Sequence, residues 1–293
     1  MKEEQFRDYL TTEKKAAHNT ANAYVRDVKH FEEFLSLRGT DSLCGAINAD
    51  VIAYLLELKN QGRRKSTINR KLASIRTYYG FLQKCHEISD NPADNIKSPK
   101  IEKKAMEFLE VEDINAVMDL PDNSEKGIRD RAMLELLYAT GIRAGELIDM
   151  DMADLNLRMG FVTCAGENIR ARIIPIGRMA RNALEKYIEA SRPLLTRHNP
   201  DEKHLFVNFQ GKPITRQGLW KILKEYGEAA GLPVNLTPQV IRNSFAIHML
   251  QNGADIKSLQ ELMGHEDISA TQAYLAYTKN RIKDVYDKAH PRA

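Results

Sequence analysis

The sequence has few cysteines, no long apolar run and little net charge, and each shortage excludes a class of protein. Cys44, Cys85 and Cys164 are too few and too scattered for a disulfide framework or a zinc site, which suits a reducing compartment such as the cytoplasm. No apolar run approaches the roughly 18 residues that a membrane span needs, and the first residues carry no apolar signal core. We therefore expect a cytoplasmic protein that does not contact the membrane.

The distribution of charge is more informative than its total. The formal net charge of +3 is too small by itself to indicate a nucleic-acid partner, but basic residues outnumber acidic ones before Ala105 and not after it. The densest basic stretch straddles a predicted turn and a helix start. Its candidate DNA-contact residues are Arg63, Arg64, Lys65, Thr67, Asn69, Arg70 and Lys71. A solvated helix face is the ordinary explanation, but helix-start N–H groups also bind phosphate, which favours a DNA-backbone contact without sequence specificity.

Helical periodicity divides the chain into two predicted domains. Residues 1–95 carry apolar stripes at helical spacing and predict a small helical bundle. Residues 96–106 contain Ser-Pro and a lysine-rich run without an apolar stripe, which predicts a linker. Residues 107–293 predict helices with two short strands around residues 166–168, and allow a third strand at 205–207. The predicted fold is mainly α with a small β component.

A histidine and a tyrosine nine residues apart mark the C-terminal part of the chain. His265 follows Gly264, where a predicted helix should end, and Asp267 or Ser269 can cap the next helix, which leads to Tyr274. A tyrosine in such a place is more often a half-buried core residue than a nucleophile. The pair alone therefore identifies no function.

Two arginine motifs precede this pair. Arg143 comes just after a glycine turn, at the head of a predicted helix, and Arg242 lies one turn into a helix opened by Thr-Pro. Each residue also has an ordinary explanation: Arg143 can pair with Glu146, Arg242 can be a buried anchor, and His265 can cap a helix end. In this order and spacing, however, Gly-Ile-Arg-x-x-Glu-Leu, the Thr-Pro-led arginine and Gly-His-x8-Tyr resemble the tyrosine recombinase (phage integrase) family, and its Xer branch most closely.

The resemblance implies a site-specific recombinase that cleaves and rejoins duplex DNA through a covalent 3′-phosphotyrosine. Tyr274 would be the nucleophile, Arg143 and Arg242 would bind nonbridging phosphate oxygens, and His265 would be a third donor. Neither a metal nor another cofactor is expected. The resemblance also implies an N-terminal domain that clamps DNA, and a tetramer on the recombination site, formed by this chain alone or with a second recombinase. The biological setting is either chromosome dimer resolution or the movement of an integrative element.

Two positions depart from the family pattern. Glu167 stands where the family has a lysine that is thought to protonate the leaving 5′ oxygen, and Gln239 replaces a histidine one turn before Arg242. Gln239 can still donate to phosphate, and Arg170 or Arg172 could occupy the place of the lysine, although arginine is a poor general acid. We therefore predict slow cleavage, which a Glu167→Lys, Gln239→His double variant should speed up. A DNA-binding accessory protein with attenuated catalysis is the alternative function, and a relaxing topoisomerase fits less well.

Overall fold

The computed structural model describes residues 1–40, 42–101, 105–166 and 169–278 of the chain. The chain divides into two compact units, Met1–Lys104 (unit 1) and Ala105–Ala293 (unit 2). Helices dominate both units, and the described part of unit 2 also contains a three-stranded sheet. The predicted fold class, mainly α with a small β component, is therefore confirmed. Within the described ranges, none of the helices combines the length and the apolar character that a membrane span requires.

Unit 1 is a helical bundle around one apolar core. Its helices are α1 (Glu3–Asp8), α2 (His18–Leu37), α3 (Asn48–Asn60) and α4 (Lys65–Lys84). Helical spacing places Val28, Phe31 and Leu35 of α2 on one face, and all three are buried in the core. Gly39 and Gly62 follow α2 and α3 with φ of +79° and +72°, a left-handed conformation that glycine adopts without strain. These glycines end the two helices.

The predicted linker is anchored at both ends within the unit it adjoins. In unit 1, Arg76 Nη2 donates to the carbonyl of Ile96 at 2.7 Å, and Asn69 Nδ2 donates to the carbonyl of Pro99 at 2.9 Å. In unit 2, the backbone N–H of Met106 donates to Tyr277 Oη at 2.6 Å. Residues 96–99 therefore pack as part of unit 1, and Met106 packs as part of unit 2.

Unit 2 surrounds a small antiparallel sheet with helices. The helices are α5 (Val111–Met118), α6 (Glu125–Thr140), α7 (Ala144–Ile148), α8 (Arg178–Lys186), α9 (Arg192–Leu195), α10 (Arg216–Ala229), α11 (Pro238–Gln251), α12 (Ile256–Met263) and α13 (Ile268–Gln272). The strands are β1 (Leu155–Asn156), β2 (Phe161–Gly166) and β3 (Ile169–Pro175), in the order β1-β2-β3. Val162 pairs with Ile174, and both are buried.

The third strand is not the one that the sequence allowed. Residues 205–207 form no strand, and Val207 makes only an isolated bridge with Pro213. Leu205, Phe206 and Val207 are all fully buried, and a short apolar run of this kind is a poor guide to secondary structure because burial alone produces it. The third strand is β1 instead, which pairs with β2.

Two glycine turns position the elements of the candidate site. Gly141 ends α6 with φ of +58°, and a Cβ atom there would lie 2.3 Å from the ring of Phe245 on α11. Only glycine allows α6 and α11 to approach so closely at this point. Gly264 ends α12 with φ of +61°, as the sequence predicts, and Asp267 then caps α13 by accepting from the N–H of Ser269 at 2.9 Å.

Candidate active site

Arg143 begins a short helix and remains accessible. It is the N-cap of α7, and its backbone N–H donates to Glu146 Oε2 at 2.7 Å. Its guanidinium donates to Glu146 Oε1 at 3.1 Å and to the carbonyl of Gly264 at 2.9 Å. The Arg143–Glu146 ion pair thus forms, but the Arg143 side chain is still 39% exposed. The guanidinium can therefore also meet a ligand from solvent.

Arg242 is buried beneath the turns that follow α6 and α12. It lies on α11 and is 4% exposed. Its guanidinium donates to the carbonyls of Gly141 and Met263, the latter at 2.6 Å, and to His265 Nε2 at 3.0 Å. Burial, together with the nearby Arg143, lowers the pKa of Arg242 to about 10. Arg242 thus remains charged at neutral pH without a carboxylate partner among the described residues.

Glu146 supplies the negative charge of the cluster. Arg172 on β3 donates to both of its oxygens, at 2.7 and 2.8 Å, and also donates to the carbonyl of Leu262 at 2.8 Å. Burial alone would raise the pKa of Glu146, but the bonds from Arg172 and from the Arg143 N–H outweigh it, so the pKa is lowered. Glu146 and the carbonyl of Leu262 thus bind the guanidinium of Arg172, and its suggested place in the position of the hairpin lysine stays a prediction.

His265 is held as a neutral ring. Its Nε2 contacts Arg242 and its Nδ1 lies 2.9 Å from Thr271 Oγ1. An arginine can only donate, so Nε2 must accept and Nδ1 must carry the proton that it donates to Thr271. Burial, then Arg242 and Arg143, lower the pKa of His265 to about 4. The imidazole is therefore uncharged at neutral pH, with its one proton on Nδ1.

Tyr274 lies directly beside this ring. It follows α13 in a 3₁₀ turn, Ala273–Tyr277, and is 3% exposed. Its ring stacks on that of His265 with 6.5 Å between centroids and 6° between planes. Burial raises the pKa of Tyr274, although Arg242 and Arg143 oppose that shift. Tyr274 is thus a neutral phenol next to two arginines.

Asn243 is the member of the site that the sequence reasoning missed. Tyr274 Oη donates to its Oδ1 at 3.3 Å, and Gln239 Nε2 donates to the same oxygen at 2.8 Å. Gln239 therefore lies close to the nucleophile candidate through Asn243. The sequence did offer one sign of its role, because Asn243 directly follows Arg242 in the second arginine motif.

A cleft of about 1150 Å³ opens on this cluster. Arg143, Arg172 and His265 line it, together with the exposed carboxylates Glu261 and Glu266. Among the described ion pairs, Arg143 and Arg172 share the single carboxylate of Glu146, while Arg242 has no carboxylate partner and His265 is neutral. The cluster therefore carries excess positive charge, which suits an anion such as a phosphate. In the described ranges, no three His, Cys, Asp or Glu side chains are grouped as metal ligands.

Comparison with known families agrees with this geometry. Residues 107–281 match the Phage integrase family, and residues 4–85 match the Phage integrase N-terminal SAM-like domain. The chain belongs to the phage integrase family. The two matches cover most of units 1 and 2 respectively, so both parts of the chain have counterparts in the family.

The relatives of the chain within the family are similar over its whole length. It is 40% identical to tyrosine recombinase XerD of Oceanobacillus iheyensis over 99% of this chain and 98% of that protein. It is 39% identical to XerD of Listeria monocytogenes over the same shares. The chain is thus an Xer-like tyrosine recombinase, an enzyme that breaks and rejoins DNA. These similarities do not favour an accessory protein.

Solved structures share the fold at lower identity. A XerH recombinase in a post-cleavage complex with its difH substrate has a TM-score of 0.76 at 19% identity, covering 97% of this chain and 83% of that one. The Tn1549 transposon integrase bound to transposon right-end DNA has a TM-score of 0.73 at 19% identity, covering 98% of both chains. At this identity, the comparison supports the fold alone.

One of the two departures from the family pattern, Glu167, concerns the β2–β3 hairpin. Glu167 and the side chain of Arg170 lie outside the described residues, so their predicted effects stay predictions. The second departure, Gln239, is described and donates a hydrogen bond to Asn243. Slow cleavage also remains a prediction.

The basic stretch of unit 1 divides into exposed and buried residues. Arg63, Arg64 and Lys65 are exposed at the start of α4, where a DNA backbone could reach them. Thr67 and Asn69 are half-buried, and Asn69 is engaged with Pro99. Arg70 is exposed but pairs with the buried Asp27.

Lys71 differs from the other predicted DNA-contact residues because its side chain is buried. Its side chain is inside unit 1, where Nζ lies 3.3 Å from Asp27 Oδ1 and 3.1 Å from Tyr54 Oη. The residue is 7% exposed. Asp27 already supplies the countercharge of Lys71, so this lysine contributes to the packing of the bundle, and its contact with DNA stays a prediction.

Proposed function

We propose that this chain is a site-specific recombinase in which Tyr274 attacks a DNA phosphate held by Arg143, Arg242 and His265. The observation that carries the proposal is the convergence of these four side chains on one positively charged cluster. They come from α7, α11, the turn after α12 and the turn after α13. Contacts between these elements, such as Arg143 with Gly264 and Arg242 with Met263, hold them together.

The reaction that fits this cluster transfers a phosphoryl group from a 5′ oxygen to Tyr274. Tyr274 Oη forms a bond to phosphorus and releases its proton to solvent, and the bond from phosphorus to the 5′ oxygen breaks while that oxygen takes a proton from solvent. The product is a 3′-phosphotyrosine, and the free 5′ hydroxyl can later reverse the step. His265 is neutral and its ring stacks on that of Tyr274, and its Nε2 accepts from Arg242, so His265 helps to position both side chains.

The arginines would stabilise the charge that develops on the phosphate. Arg143 is exposed to the cleft and can bind a nonbridging oxygen without giving up its bond to Glu146. Arg242 is buried and unpaired with any described carboxylate, so a phosphate would supply its missing countercharge. Removing one donor of this type typically lowers a rate by about 10²- to 10³-fold.

Duplex DNA carrying a recombination site is the proposed partner. The XerH and Tn1549 proteins, which share this fold, were each solved with such DNA. Exposed basic residues at the start of α4 support a backbone contact in unit 1. A tetramer, and a second recombinase within it, stay predictions. Full-length similarity to XerD proteins favours chromosome dimer resolution over the movement of an integrative element.

A covalent-trapping experiment tests the proposal. The probe is a duplex that the protein selects from a random-sequence pool, nicked so that the short strand released by cleavage diffuses away. We expect a protease-sensitive protein–DNA adduct with the wild type and none with Tyr274→Phe. Tyr277→Phe is the matched control, because it removes a neighbouring phenol hydroxyl and should keep the adduct. An adduct with Tyr274→Phe, or none with the wild type on bound DNA, would overturn the proposal.

A further inference from the structure

Asn243 makes three hydrogen bonds that together restrain the nucleophile. Its Oδ1 accepts from Tyr274 Oη at 3.3 Å and from Gln239 Nε2 at 2.8 Å, while its Nδ2 donates to the carbonyl of Glu107 at 2.9 Å. Asn243 is 6% exposed, so water does not compete freely for these bonds. The amide therefore has a fixed place beside Tyr274.

The partners of Asn243 also fix which way its amide points. The Glu107 carbonyl can only accept, so the amide nitrogen must face it, and the oxygen must then face Tyr274. Because that oxygen can only accept, the Tyr274 hydroxyl must be the donor. The resting phenol thus keeps its proton and directs it at Asn243.

This hydrogen bond exists only before the reaction. Once Tyr274 Oη loses its proton and bonds to phosphorus, it has nothing to donate to the Asn243 oxygen. An interaction present in the ground state and absent from the transition state lowers the rate of the chemical step. We propose that Asn243 is a positioning residue that restrains Tyr274 as a buried, protonated phenol, and that this restraint must break before the attack. The inference rests on the proposed role of Tyr274 as the nucleophile.

The restraint extends to the segment Met106–Leu109, at the start of unit 2. Glu107 binds Asn243, while Met106 donates to Tyr277 Oη at 2.6 Å. The ring of Phe108 also meets that of Tyr277 edge to face, with centroids 5.6 Å apart. This segment is therefore tied both to Asn243 and to the turn that carries Tyr274. A shift of the segment would loosen both contacts together.

The test compares the rate of adduct formation at saturating DNA in Asn243→Ala and in the wild type. Loss of a neutral hydrogen bond found only in the ground state should speed the covalent step by about two- to tenfold. A merely structural residue would show a slower step or none when removed. Asn243→Leu, which fills the same space without an acceptor, should also be faster and decides the test if the alanine variant does not fold.

Ser244→Ala is the matched control. Ser244 accepts from the N–H of Leu109 at 2.8 Å, so its loss loosens the same segment without touching Tyr274. Because the Asn243–Tyr274 hydrogen bond itself stays in place, the covalent rate of Ser244→Ala should rise less than that of Asn243→Ala. A rate in Asn243→Ala that is equal to or below the wild-type rate would overturn the inference while leaving the role of Tyr274 intact. Absence of a Tyr274-dependent adduct in the wild type would instead overturn the proposed function.

The pH profile of the covalent step gives a second readout. Without the Asn243 acceptor, the neutral phenol is less stabilised, so the pKa of Tyr274 should fall. The pH at which the covalent rate begins to increase should therefore be lower in Asn243→Ala than in the wild type. The charged or titratable described groups that face Tyr274 are Arg242 of α11, Arg143 at the start of α7 and His265 after α12. All three are unchanged in the variant. A profile identical to that of the wild type would contradict the inference.

Discussion

Two clusters of buried cations in this chain differ in how their charge is balanced. In unit 1, the ammonium of Lys71 faces the carboxylate of Asp27, which also accepts from Ser74 at 3.0 Å. In unit 2, Arg143 and Arg172 share the carboxylate of Glu146, and the neighbouring Arg242 makes no described ion pair. In the first cluster Lys71, like the exposed Arg70, pairs with Asp27, whereas in the second cluster Arg242 pairs with no described carboxylate.

The difference distinguishes packing from binding. A buried charge without a partner costs several kcal/mol (on the order of 3–5 when a pair is broken), so a fold does not retain one without a reason. Carbonyl groups and a neutral histidine satisfy the hydrogen bonds of Arg242, but they leave its charge unbalanced. A DNA phosphate would balance it. Excess buried charge therefore identifies the binding cluster more reliably than the number of basic residues does.

The largest effect is expected when the ion pair between Asp27 and Lys71 in unit 1 is broken. Asp27→Asn leaves Lys71 buried without a countercharge and should lower the free energy of unfolding by about 3–5 kcal/mol. Chemical denaturation followed by circular dichroism measures this loss. The double variant Asp27→Leu, Lys71→Met removes both charges and should recover most of the stability. Equal stability of Asp27→Asn and the wild type would show that the pair does not hold unit 1 together.

The next largest effect is expected at Arg242, the arginine of unit 2 without a described carboxylate partner. Arg242→Lys keeps the charge but loses the planar fork, so it cannot hold the turn carbonyls and a phosphate oxygen at once. We expect the rate of covalent adduct formation to fall by about 10²- to 10³-fold, with DNA affinity little changed. Single-turnover trapping on the nicked duplex measures the rate, and a gel-shift titration measures the affinity.

Arg192→Lys is the control for that variant. Arg192 also donates to backbone carbonyls, those of Leu205, Glu202 and His204, but lies outside the cluster. Its replacement should lower the melting temperature and leave the covalent rate unchanged. If both variants lose the covalent rate equally, the loss reflects damage to unit 2 and not the chemistry of Arg242.

Much of the site follows from local sequence signals. Gly141 and Gly264 predict the two helix ends, and the Thr-Pro pair predicts the start of α11, where Thr237 accepts from the N–H of Val240 at 3.1 Å. These signals place Arg143 and His265 at turns, where backbone geometry directs side chains toward a common point. Family resemblance then supplies the chemistry that the turns cannot specify.

The contacts that the sequence could not provide join residues far apart in the chain. Asn243 and Tyr274 are 31 residues apart, and Asp27 and Ser74 are 47 apart, so no periodicity reports either pair. The burial of Lys71 did have a local signal. It is spaced three residues after Ile68 and four before Ile75, both in the core, which places it on the buried face of α4.

The smallest expected effect is on the salt dependence of DNA affinity, which should differ between exposed and buried cations of unit 1. Arg64 is exposed at the N-terminus of α4, so Arg64→Ala should remove a phosphate contact and reduce the slope of log affinity against log salt by about one. Lys71→Met removes a charge of the same sign from the interior and should leave the slope unchanged. Lys84→Ala, at the exposed far end of α4, controls for net charge. If Lys71→Met lowers the slope as much as Arg64→Ala does, the buried lysine contributes to DNA binding and the distinction between the two clusters fails.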